Sequence, residues 1–208
     1  MNRLSILLIF IPLIIFGCKN KELDEKYLSQ IINTLDMNIF SNDGKKLLTI
    51  ESPHSNYDKE DNTFNLKKTT INLFKDNNIE YIINSDKSKI SNNNKLIELN
   101  GNVLVRTIIQ KDDKLTANSF TWDIQKSEYL LVGDVYLENG SVTLSSNKAI
   151  LNKSNNIIEF FKPVKYKFND NVNEQGYEIN SENAYYDIKT KSVNFRSKEK
   201  RIRSKVFF

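Results

Sequence analysis

The residue types that most often carry chemistry are scarce in this chain of 208 residues. Histidine occurs once, as His54, and cysteine once, as Cys18. With one imidazole, neither a multi-histidine metal site nor an ordinary Ser-His-Asp triad is expected, and His54 reads as a turn residue beside Pro53. With one thiol there is no disulfide framework and no thiolate metal cluster. The neighbouring carboxylates Asp112 and Asp113 sit in a turn-like context and read as solvated, so they offer no acid–base pair. No glycine loop cradles a phosphate, so the chain is not expected to hydrolyse ATP. Trp122, in Phe120-Thr121-Trp122-Asp123, reads as a core or rim aromatic. The expectation is therefore a protein without catalytic residues, metal or cofactor.

Cys18 is informative through its position. Met-Asn-Arg precedes an apolar run from Leu4 to Phe16, then Gly17 and Cys18, and Lys19, Asn20, Lys21 and Glu22 follow at once. A charged start before a short apolar stretch is the pattern of a secretory signal. The run is interrupted by Pro12 and falls short of the roughly 20 residues that cross a membrane. Ile15-Phe16-Gly17-Cys18 resembles a bacterial lipobox, which implies removal of residues 1–17 and lipidation of Cys18. Two or more acyl chains on that cysteine would be a firm membrane anchor.

The 191 residues after the signal suit a single domain or one long β domain, and their net charge falls from +4 to +3 with the loss of Arg3. So mild an excess does not point to nucleic acid. It is compatible with solubility or with contact to anionic headgroups.

Along residues 18–37, Leu23, Tyr27, Ile31 and Leu35 recur every four positions, with Glu22, Asp24 and Glu25 loading the first turn. That spacing predicts a short helix or linker acting as a tether. From Asn38 onward, short runs of Ile, Leu, Val, Thr, Tyr and Phe alternate with Asn, Ser, Asp and Lys clusters, the signature of many strands joined by turns. A repeat runs through them. Small residues open successive phrases at Ser52, Ser85, Ala117, Ser146 and Ser181, spaced by 33, 32, 29 and 35 residues. A valine follows three of these openers at a constant distance of 18 residues: Val103 after Ser85, Val135 after Ala117 and Val164 after Ser146. A period of this size marks units that cannot bury their apolar faces alone. The predicted fold is all-β, a twisted open jelly roll or sandwich of repeated antiparallel strand pairs over residues 38–197, with a basic tail over 198–208.

Phe40-x-x-x-Gly44 with Leu47 and Ile50, the phrase Ser52-Pro53-His54-Ser55-Asn56-Tyr57, Leu99-Asn100-Gly101-Asn102-Val103 and Leu131-Val132-Gly133-Asp134-Val135 together resemble the LptC family, a component of lipopolysaccharide export. They also resemble the wider OstA/LptA-like group. Lys162-Pro163-Val164 departs from the Gly-x-Val pattern, and a lipid in place of a transmembrane anchor is a second departure. The resemblance implies a non-enzymatic relay on the periplasmic face of the inner membrane, held there by its lipid. It would take lipopolysaccharide or a related glycolipid from the permeases of an ABC transporter and pass it to an LptA-like bridge protein. The faces expected to line a lipid trough are Leu99, Val103 and Val105, then Leu131, Val135 and Leu137, then Phe160, Val164 and Tyr166. Partner-facing edges are expected at Phe40, Gly44 and Leu47 and at Tyr185, Tyr186, Val193 and Phe195, because strand addition supplies affinity through the main chain. A tail from Arg196 to Phe208 that folds back over the last edge is the competing expectation. Two other readings remain open: a structural or surface-binding lipoprotein with a solid β core, and a polysaccharide-acting enzyme, for which no convincing carboxylate pair exists.

Overall fold

A computed structural model of the protein describes residues 29–91, 93–108, 113–152, 155–170, 175–198 and 201–207. The signal segment, Cys18 and residues 19–28 of the expected tether lie outside them. The described residues form strands in one antiparallel sheet. At one edge, β1 (Ser29–Ile32) and β2 (Leu35–Phe40) pair with β4 (His54–Asp58) and β3 (Lys46–Ser52) respectively. β5 (Thr63–Lys75) pairs with both β3 and β4 on one side and with β6 (Asn78–Ser91) on the other. The chain then meanders without crossover through β7 (Leu96–Thr107), β8 (Lys114–Asp123), β9 (Glu128–Asn139), β10 (Val142–Asn152), β11 (Ile157–Asp170) and β12 (Gln175–Asp187). Two short strands share the far side of β12: β13 (Val193–Arg196) covers one half and β14 (Arg203–Phe207) the other.

The ends differ from the sequence expectation. Residues 29–32 and 35–37 are strand, not helix or linker. The helical spacing of four residues yields here to β-branched Ile31, Ile32 and Thr34 and to a waiting partner strand. Leu35, Met37 and Ile39 alternate inward and pack against the core. Part of the expected basic tail is also strand: residues 203–207 pair along β12, in line with the competing expectation of a tail folded back over the last edge.

The repeat has a geometric cause. From β6 to β12, each strand pairing changes register at one level of the sheet, so that one residue opposes two. Asp86 and Asn118 flank Gly101-Asn102, Asn118 and Asn147 flank Gly133-Asp134, and Asn147 and Glu182 flank Lys162-Pro163, whose peptide bond is cis. Aligned bulges of this kind bend each strand and fold the sheet along a seam. Gly101 and Gly133 have φ of +77° and +79°, and the next residues, Asn102 and Asp134, are also left-handed at 47°. A Cβ at Gly133 would lie 2.8 Å from the Asn118 side chain, and one at Gly101 would lie 2.8 Å from Asp86. Only glycine combines that backbone with that approach.

Hydrogen bonds stitch the seam. Asn102 donates to Asp86 at 2.8 Å and Asn118 donates to Asp134 at 3.0 Å. The openers Ser52, Ser85, Ser146 and Ser181 each donate a hydroxyl to the carbonyl two residues on, at 2.8, 3.2, 2.9 and 3.0 Å. The register sets Val103 against Ala117, Val135 against Ser146 and Val164 against Ser181. The constant 18-residue spacing belongs to the other neighbour of each valine: Asn84 pairs with Leu104, Thr116 with Tyr136 and Ser145 with Lys165, which brings Ser85, Ala117 and Ser146 around one hairpin to the level of Val103, Val135 and Val164. These residues form a row of alternating small and branched side chains just inside the fold. Beyond it, the inner faces of the two sheet halves share one core that includes Ile83, Ile97, Leu99, Leu131, Leu144 and Phe160.

Candidate functional site

The strand alternation sends every second side chain to the inside of the folded sheet. Where the two halves face one another they enclose a cavity of about 460 Å³, in the range of natural small-molecule sites. One wall comes from the β5–β9 side of the seam: Leu73, Phe74, Tyr81, Ile83, Val105, Leu115 and Leu137. The facing wall comes from the other halves of β8–β12: Phe120, Trp122, Tyr129, Leu131, Leu151, Ile158 and Tyr186. Leu47 of β3 closes the flank. The seam thus allows one continuous sheet to supply both walls.

Charged residues gather at one end, where strand termini and turns meet: Lys75, Glu80, Asp113, Lys114, Lys189 and Lys191. Lys75 pairs with Glu80 at 3.5 Å, and Lys191 of the β12–β13 turn pairs with Asp113 of the β7–β8 loop at 2.6 Å. The second pair joins the two halves across the cavity, and the Asp113 side chain is only 13% exposed. Lys114 is held by Glu138 at 2.8 Å, a hydrogen bond that raises the lysine pKa further. Four lysines and two carboxylates line this end, and Glu138, outside the lining, pairs with one of the lysines.

Three phenols lie between the charged end and the apolar depth. Burial is the main cause that raises the pKa of each; for Tyr129 it reaches about 12. Carboxylates add to it, Glu80 and Asp113 at Tyr81, and Asp113 and Asp187 at Tyr186. All three therefore stay protonated at neutral pH and can act as donors. The Tyr186 hydroxyl is buried and has no hydrogen-bond partner.

Of the sequence candidates for lipid contact, Val105, Leu131 and Leu137 line the cavity. Leu99, Val103, Val135, Phe160, Val164 and Tyr166 are buried core outside the cavity lining. The phrases Leu-x-Gly-x-Val and Lys-Pro-Val therefore mark the seam. Their valines sit at the crease, where the walls converge and leave no space. Among the edge candidates, Phe40 lies on β2, whose pairing is with β3, and is 55% exposed. Gly44 is in the β2–β3 turn, and Leu47 lies one strand in and lines the cavity. Tyr185 and Tyr186 are not on an edge, because Val193 and Asn194 of β13 pair with them. Val193 and Phe195 belong to that outer strand. His54 starts β4 rather than a turn. Asp113 is an ion-paired, largely buried residue instead of a solvated one.

Sequence reasoning missed Phe74, Tyr81, Tyr129 and Ile158 as lining residues. Their signal was the strand alternation itself, applied to the ends of the strands away from the glycine phrases. Among the described residues, no group of three or more His, Cys, Asp or Glu is placed to hold a metal ion. No helix among them is long and apolar enough to cross a membrane.

A family model described as lipopolysaccharide-assembly, LptC-related, matches residues 5–129, and an OstA-like protein model matches residues 105–206. Among solved structures, one similar chain is the crystal structure of LptH from Pseudomonas aeruginosa. It is described as the LptA homologous periplasmic component of the conserved lipopolysaccharide transport device. It is 18% identical, with a TM-score of 0.46, over 62% of this chain and 94% of that one. No curated protein matches the chain.

Proposed function

Because the chain belongs to the LptC-related family of lipopolysaccharide-assembly proteins, we propose that it is a periplasmic relay that carries lipopolysaccharide, or a related glycolipid, inside its folded sheet. The observation that carries this reading is the cavity between the sheet halves, with apolar walls and a lysine-rich end. Acyl chains leave water for such walls, gaining about 0.8 kcal/mol per buried methylene. Phosphates and other anionic groups meet the lysines at the charged end. No bond needs to be made or broken, and the chain acts as a non-enzymatic carrier.

The relay is anchored by lipid on Cys18 to the periplasmic face of the inner membrane. It receives glycolipid from the permeases of an ABC transporter at the β1–β2 edge, where Phe40 and Ile31 are exposed. It passes the load to an LptA-like bridge protein at the β13–β14 edge by strand addition. The cavity supports this reading over the rival, a structural lipoprotein with a solid core.

Trp122 is the single tryptophan and lines the cavity, so its fluorescence reports on the interior. Titrating the purified chain with lipopolysaccharide should give a saturable change in Trp122 emission that a fatty-acyl competitor reverses. A folded protein whose emission does not respond at any concentration would favour the solid-core reading.

A further inference from the structure

Two changes of strand register lie outside the repeated seam. Ile39 opposes Leu48 and Phe40 opposes Lys46, which leaves Leu47 as an extra residue on β3. Leu73 opposes Tyr81 and Phe74 opposes Ile79, which leaves Glu80 as an extra residue on β6. Bulges of this kind re-aim side chains. Leu73 and Phe74 are consecutive on β5 and both line the cavity, as plain alternation does not allow. Leu47 and Phe74 also line a second hollow, of about 440 Å³, between the β2–β3 and β5–β6 turns. The rest of its lining is polar and includes Asp43, Lys46, Asp76 and Asn77. One pair of apolar side chains is thus the boundary between an apolar cavity and a polar one.

Lys46 stands at this boundary. It is half-buried, and its ammonium lies over the Phe74 ring, 5.2 Å from the centroid. The lysines around it are engaged: Lys45 pairs with Asp43, Lys75 with Glu80, Lys114 with Glu138 and Lys191 with Asp113. Lys189 is exposed, and its charge acts on Asp187. Among the described residues, no carboxylate lies within ion-pair distance of Lys46. A ring face attracts a cation but accepts little from its three N–H donors, so the ammonium keeps its capacity for an anion.

We propose that the second hollow is a headgroup subsite in which Lys46 binds a phosphate carried on a sugar. The inference rests on the lipid-carrier reading above and adds a second place for the head beside the lysine-rich end. The phosphate takes the Lys46 ammonium in a charge-assisted hydrogen bond. Hydroxyls of the sugar meet Asp76 and Asn77, and the attached chain passes Phe74 into the apolar cavity. Lys46 therefore selects phosphorylated amphiphiles over neutral ones of equal chain length.

The test uses two probes of one chain length, decyl phosphate and decanol, both below aggregation and both read by Trp122 emission. The native chain should bind the phosphate about tenfold more tightly than the alcohol, a preference that shrinks as salt is raised. Lys46→Met keeps an apolar stem over Phe74 and removes the charge, and it should bind the two probes alike. Lys46→Arg should keep the preference, and so should Lys67→Met, which removes one positive charge from an exposed position on β5. A Lys46→Met protein that still prefers the phosphate overturns the inference. Equal losses in Lys46→Met and Lys67→Met overturn it too, since they would be an effect of net charge. A native chain that binds both probes equally overturns the inference and leaves the carrier reading standing, whereas one that binds neither overturns both.

Discussion

Ser146 is a buried polar residue in an apolar row, and its hydroxyl donates to the Lys148 carbonyl at 2.9 Å. Replacing it with alanine leaves that part-buried carbonyl short of a donor. Ser146→Ala should lower the unfolding free energy by about 1 kcal/mol. Urea denaturation checks this, with an unchanged slope and a lower midpoint. Ala117 occupies the equivalent place without a hydroxyl, so the seam tolerates one such loss. At this scale the sequence was informative where periodicity held. The openers and their valines stood out by spacing, although the cause, cross-strand pairing at a crease, lay in three dimensions. Asp113 and Lys191 are separated by 78 residues and share no local pattern, so their pairing was invisible. Tyr186 was obscured by the bulge at Glu182. Counting by twos from Ser181 sends Tyr185 inward, but the register change sends Ala184 and Tyr186 inward instead.

The strands follow directly from alternation. β7 and β9 keep one inward parity through the crease, because Gly101-Asn102 and Gly133-Asp134 absorb the bend with positive φ. β6, β8, β10 and β12 shift parity there, since each contributes a single residue opposite two. The two glycines are therefore structural hinges. Gly133→Ala should destabilise the fold by roughly 1–3 kcal/mol, combining backbone strain with a clash against Asn118. Gly140→Ala, at φ 55° with nothing near its added Cβ, should cost about 1–2 kcal/mol and no more, being strain alone. Equal losses in chemical denaturation would contradict the hinge account. The end of the expected tether, from Ser29 to Met37, departs from helix because Ile31 and Leu35 fit a helical spacing as well as they fit strands flanking a bend. The partner strand decided the matter, and a sequence does not display its partner. Of the lipid-contact set, Val105, Leu131 and Leu137 line the cavity, and the other six lie in the core outside its lining. The glycine phrases mark the crease, and the open volume lies where the walls have diverged.

Across the whole molecule, one folded sheet accounts for both the enclosed volume and the two outer strands. At one edge Ile31 is 80% exposed and at the other Val206 is 55% exposed. Among the described residues, both lie on strands paired along one side, β1 with β4 and β14 with β12. Between these edges runs the apolar interior, with the Asp113–Lys191 pair across one end. The central claim is that glycolipid occupies this interior during transport, and alternation on β9 provides an internal control. Leu131 is buried and lines the cavity, while its neighbour Val132 points outward and is 41% exposed. A photoreactive residue placed at each position in living cells makes the decisive comparison. Crosslinks to lipopolysaccharide at position 131, absent at 132 and lost when ATP is depleted, are the predicted result. No glycolipid at 131 in a folded, membrane-bound protein, or equal labelling at 131 and 132, would contradict the account.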